Sequence, residues 1–237
     1  MQYYDNPFAV ADAPAPARAA FYRKTYAYAA GTFGVWAAML ATLFLTGAAN
    51  PIIELMFNET AGRYSWLLVL GLFWVATYFG QKLAFSRETG SQYLGLGVYA
   101  AAYAVLFVPL IAGVAVATKG DIMSVLAPAG ISTAALFGAL TATVFMTSKD
   151  FSFLRTFVVF GSFVALGAIV VFTIFGINPG ALFSVAMIVL MSAAVLWQTW
   201  QIKDQFDTTQ HVGAAAVIFA SFMTLLWYVI QLFMSRR

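Results

Sequence analysis

VGAAAVIFASFMTLLWYVIQLFM, residues 212–234, contains no Asp, Glu, Lys, Arg, His or Pro. A helix rises about 1.5 Å per residue, so a stretch of this length crosses the ~30 Å hydrocarbon core of a bilayer with its backbone groups bonded inside the segment. Working toward the N-terminus, six more apolar stretches follow the same rule: Pro179–Ile202, Phe157–Phe175, Val125–Thr147, Tyr93–Thr118, Ser65–Phe85 and Ala27–Ala49. No ionisable residue needs to sit at depth in any of them, Lys82 counting with the connecting segment that follows it. The pattern predicts an all-α fold, a seven-transmembrane helix bundle over residues 23–237, with residues 1–22 as a flexible cytoplasmic tail. That tail holds the run Ala13-Pro14-Ala15-Pro16-Ala17 and lacks the apolar core of a signal peptide.

Composition fits a bilayer-embedded chain. Of the 237 residues 62% are hydrophobic and 9% charged, against about 25% charged in soluble domains. The formal charge of +3 is carried in connecting segments, where it serves topology and headgroup attraction, and implies no nucleic-acid partner. Without Cys there is no disulfide, thiol nucleophile or thiolate metal site, and the lone His211 reads as a solvated loop residue. No span carries a nucleophile and base, a metal-ligand cluster or a phosphate-binding glycine loop, so no catalytic residue, metal or cofactor is assigned and the chain is not read as an enzyme.

Lys and Arg counted in alternate connections set the orientation. One set holds Arg18, Arg23, Lys24, Lys82, Arg87, Lys149, Arg155 and Lys203, the other Arg63, Lys119, Arg236 and Arg237. The imbalance places the N-terminus in the cytoplasm. Pro179 and Pro128 suit first helical turns, whereas Pro109 falls mid-span and should bend the third helix. Close packing is expected where small residues share a face: Ala134, Gly138 and Ala142 in the fourth span, Gly31 and Gly34 in the first, and Ala100, Ala104, Gly113 and Ala117 in the third. Trp36, Trp66, Trp74, Trp197, Trp200 and Trp227 lie mostly toward span ends, as interfacial anchors do.

The polar residues within spans carry whatever chemistry there is. Ser221, Thr224, Tyr228 and Gln231 stand at offsets 0, 3, 7 and 10 and form one stripe of the last helix, which must face protein or water. Gln198, Gln201 and Gln205 end the sixth span, and Thr133, Thr141, Thr143 and Thr147 lie in the fourth. These groups either hydrogen-bond between helices or line a pore. Asp204 and Asp207 either attract cations to a pore mouth or are solvated loop charges.

Several segments resemble the Bax inhibitor-1 family. They are Arg23-Lys24-Thr25-Tyr26 before the first span, Phe145-Met146-Thr147-Ser148-Lys149-Asp150-Phe151 after the fourth, the end of the sixth, and the polar loop into the last helix. The resemblance follows the span order over nearly the whole chain and implies seven spans. It also implies a role as a calcium leak or a regulator of membrane calcium and cell death, or, as in some bacterial members, association with a membrane-bound AAA protease. In the family the leak depends on two aspartates. The first lies in a Tyr-Asp-x-x-x-Ile pattern, matched here by Trp197-Gln198-Thr199-Trp200-Gln201-Ile202; the second lies in an aromatic-x-Asp pattern, matched by Phe219-Ala220-Ser221. Gln198 and Ser221 thus replace both acids.

Paired carboxylates in a low-dielectric site share a proton and titrate near neutrality; an amide and a hydroxyl do not. Two functions are expected from this. One is a non-conducting or accessory member that modulates another membrane complex, such as a membrane protease, with Asn6-Pro7-Phe8 as a handle for a partner. The alternative is a pH-insensitive calcium or cation leak. The family's bacterial branch suggests a bacterial inner membrane.

Overall fold

The structure, a computed structural model, describes residues 9–58 and 62–235. Among the described residues eight helices follow one another: α1 Ala15–Leu45, α2 Asn50–Phe57, α3 Gly62–Ala84, α4 Thr89–Ala117, α5 Met123–Met146, α6 Leu154–Phe175, α7 Gly180–Asp204 and α8 His211–Met234. All but the short α2 are long and apolar enough to cross a membrane, which makes this a multi-pass membrane protein. Short connections alternate between two ends of the bundle. One is the N-terminal end, where Phe85 packs on Phe206; at the other, Trp66 stacks on Trp227 at 5.8 Å. The basic residues of the larger set fall at the N-terminal end.

α8 is the most enclosed span and packs against α1, α4, α5 and α7, while α6 sits outside, on α7 and α3. Lipid tails are as apolar as Leu, so this bundle is held by close packing rather than by expulsion of water. Aromatic rings fill its centre. Phe219 of α8 meets Phe33 at 4.9 Å and Tyr103 at 5.4 Å, and Phe107 bridges Trp36 at 5.3 Å and Trp227 at 5.4 Å. These are the edge-on and tilted geometries that ring quadrupoles favour.

Several expectations are corrected. α1 begins at Ala15, inside the segment read as a tail, because Ala17, Ala19 and Ala20 are strong helix formers and prolines are tolerated at a helix start. Ahead of it, Val10 is fully buried and donates its backbone N–H to the Phe206 carbonyl at 2.8 Å. Residues Asn6-Pro7-Phe8 lie outside the described residues. α2 was hidden in the connection after the first span. α4 is a single helix with Pro109 inside it, which is compatible with the bend expected there. Pro128 lies beyond the first turn of α5, and Pro179 is the N-cap of α7 rather than part of its first turn.

The small-residue faces are corrected in part. Ala134, Gly138 and Ala142 are exposed, and a Cβ at Gly138, Gly31 or Gly34 would meet nothing within 4 Å. α5 turns Val125, Ala129, Thr133 and Val144 inward instead. Ala100 and Ala104 are buried as expected. α3 and α4 approach closely at Gly95, where a Cβ would stand 2.5 Å from the Ala84 nitrogen and 2.7 Å from the Gly80 carbonyl oxygen. Among the tryptophans, Trp200 and Trp227 lie toward span ends but are buried in packing instead of facing lipid, whereas Trp74 is 56% exposed.

Candidate functional site

The hydroxyl stripe of α8 turns inward. Ser221 and Tyr228 are buried and Thr224 and Gln231 half-buried. Ser221 donates its hydroxyl to the Gln198 Oε1 of α7, and its Oγ also lies 2.8 Å from the Val217 carbonyl one turn back. A serine has one proton for these two acceptors. Rotating the Gln198 amide so that Nε2 faces Ser221 lets the amide donate while Ser221 donates to Val217, and both bonds form. Around the pair, Phe137, Val195, Ile202 and Ile218 leave a space of about 10 Å³, the lower limit for one water. No charged residue lines this small space among the described residues.

One turn along α8, the Thr224 hydroxyl donates to the Ala220 carbonyl at 2.8 Å, and Tyr103 of α4 reaches Thr224 Oγ1 at 3.0 Å. Tyr103 is buried, with its ring against Phe73 at 4.9 Å and Phe219 at 5.4 Å. Sequence reasoning missed it. The signal available was a phenol in the middle of an otherwise apolar span, which in lipid requires a partner.

Tyr103 and Thr224 also border a cavity of about 640 Å³ that extends toward the end where α8 terminates. Its walls come from α3, α4, α6, α7 and α8, and no charged residue lines it among the described residues. Tyr228 and Gln231 continue the stripe along its wall. The structure thus joins Ser221 to Gln198 and gathers Thr224, Tyr228 and Gln231 at the cavity.

Other residues singled out from sequence lie elsewhere. Asp204 and Asp207 are half-buried at the N-terminal end and line neither space. Asp207 pairs its backbone with Ala9 and donates its N–H to the Gln210 side chain at 3.2 Å. Gln201 faces its own helix neighbour Gln205. His211 is the first residue of α8 and stacks on Tyr28 at 5.4 Å, so it is packed rather than a solvated loop residue. Among the described residues no three His, Asp or Glu gather as a metal site. Thr133 and Thr143 bond to carbonyls of their own helix, and the buried Thr141 hydroxyl has no partner among the described residues. Interhelical bonding is therefore concentrated in a few pairs.

The Thr-x-Lys-Asp-Phe segment closes the N-terminal end. Asp150 caps the turn by accepting from the Ser152 N–H at 2.6 Å, and Phe151 is buried with Val144 and Trp200. Lys203 of α7 donates to the Val144 and Thr147 carbonyls, both at 2.8 Å, capping α5 where its dipole favours a cation.

Comparison with known proteins gives two findings. The sequence profile of the family described as Inhibitor of apoptosis-promoting Bax1 matches residues 18–237. An uncharacterized protein of Pseudomonas aeruginosa is 34% identical over 111 residues, 46% of this chain and 50% of that protein. The chain thus aligns with about half the length of this curated relative.

Proposed function

This chain belongs to the Bax inhibitor-1 family, and from that footing we propose that it is a non-conducting, accessory member that modulates another membrane complex, such as a membrane-bound AAA protease, in a bacterial inner membrane. The observation that carries this reading is the contact of Ser221 with Gln198 across α7 and α8. At the two positions where the family resemblance places aspartates, this chain has groups that do not ionise near neutrality and carry no negative charge to draw a divalent cation. Their hydrogen bond has the same strength at every physiological pH. The layer they form has no room for a hydrated ion.

The 640 Å³ cavity favours a second reading, a pH-insensitive cation leak. Its uncharged walls weigh against that, because a desolvated ion needs compensating charge or dipoles. The accessory role is tested by purification from native membranes in mild detergent. It predicts a stoichiometric membrane partner, and recovery of the chain alone under conditions that preserve other membrane complexes would contradict it.

A further inference from the structure

We propose that the 640 Å³ cavity is a lipid site, holding one acyl chain of a membrane phospholipid with an ester carbonyl accepting a hydrogen bond from the Tyr228 hydroxyl. The volume lies within the range of about 300–1,000 Å³ that binds drug-sized ligands. The walls are mostly hydrocarbon and carry no charge among the described residues, so the occupant is uncharged where it is enclosed.

The polar groups on the wall narrow its chemistry. Thr77, Ser162 and Thr173 have committed their protons to the Phe73, Val158 and Ile169 carbonyls, at 2.8, 2.7 and 2.7 Å. Tyr228 is different: only 7% exposed, with its ring packed edge-on against Phe183, it lines the cavity and its hydroxyl has no hydrogen bond among the described residues. Its hydroxyl opens into the cavity instead of being sealed in packing; facing hydrocarbon there it would go without a partner, and an acceptor supplied from within the cavity removes that cost. Gln231, one turn toward the end of α8, offers an amide near the rim. A string of waters would need two to four polar partners each; beyond that pair the wall offers only scattered groups, the acceptor lone pairs of Thr77, Ser162, Thr173 and Thr224, the Tyr103 hydroxyl and the tryptophan indoles, set in a surface that is mostly hydrocarbon.

The route of entry is lateral. Trp74 of α3 lines the cavity and is also 56% exposed on the face turned toward lipid, with Leu166 of α6 on the opposite wall. A chain from the surrounding bilayer can enter between α3 and α6 and lie with its carbonyl end toward Tyr228 and Gln231.

The test uses the full chain with Trp227 kept and the other five tryptophans changed to Phe, reconstituted in phosphatidylcholine vesicles with or without bromine on the acyl chains. Bromine should quench Trp227, which lines the cavity, and acrylamide in the water should not. The cavity-filling changes Ala165→Phe and, separately, Ile169→Phe should abolish the bromine effect while circular dichroism stays helical. By native mass spectrometry of the chain with its own tryptophans, Tyr228→Phe should retain added phosphatidylcholine about fivefold more weakly, the loss of one hydrogen bond. Quenching of Trp227 by acrylamide would overturn the proposal in favour of a water-filled vestibule. Bromine quenching that both fillers leave unchanged would overturn it as contact with the outer surface alone.

Discussion

Tyr103 of α4 and Thr224 of α8 meet at 3.0 Å between their hydroxyl oxygens, one turn along α8 from Ser221. The Tyr103 hydroxyl also lies 3.1 Å from the Ala220 carbonyl, so it ties α4 to α8, the two most enclosed helices, at two points. Interhelical bonds in membranes contribute ~0.6 kcal/mol on average and at most ~1.7 kcal/mol, because the separated helices find other partners. A double-mutant cycle of Tyr103→Phe with Thr224→Val should give a coupling in that range, read from detergent unfolding. A coupling near zero would mean that the Tyr103–Thr224 bond adds nothing beyond what Tyr103 gains from the Ala220 carbonyl.

Two glycines should respond in opposite ways. Gly95→Ala drives a Cβ into the backbone of α3, 2.5 Å from the Ala84 nitrogen, and overpacking of this kind costs about 1–3 kcal/mol. Gly138→Ala meets nothing within 4 Å and should stabilise α5 by up to ~1 kcal/mol through helix propensity. Thermal unfolding of the two variants checks the signs.

Lys203 gives a third test. Lys203→Met removes both charge-assisted bonds to the end of α5 and should cost about 1–2 kcal/mol, discounted for partial exposure. Lys203→Arg should recover part of it. If Lys203→Met matches the parent stability, the cap contributes nothing.

Reporter fusions at Ser91, in the first turn of α4, and Ser124, in the first turn of α5, should report opposite sides of the membrane, with Ser91 inside. Both reporters on one side would contradict the seven-span path.

How much of this was legible depended on whether a signal was one-dimensional. Span number follows from uninterrupted apolar length, and the inward face of Ser221, Thr224 and Tyr228 follows from helical period together with the cost of unpaired hydroxyls in hydrocarbon. The packing faces did not follow. Gly138 and Gly95 look alike in sequence, yet one faces outward and the other lies against a backbone. Small residues permit close approach but do not choose the partner, and only the arrangement of α3 on α4 makes Gly95 the contact. Tyr103 needed a partner 121 residues away, which no local pattern supplies. The start of α1 at Ala15 is obscured in the sequence by the alternating Ala and Pro ahead of the alanine-rich turn.

The central claim is that an uncharged Ser221–Gln198 layer closes the bundle without regard to pH. Calcium flux into liposomes containing the protein, compared at about pH 6 and pH 8, where a raised carboxyl pKa would act, tests it most directly. The account predicts negligible flux from the parent chain at both values, and pH-sensitive flux once Gln198→Asp and Ser221→Asp are combined. Flux from the parent chain that changes between the two pH values would contradict it.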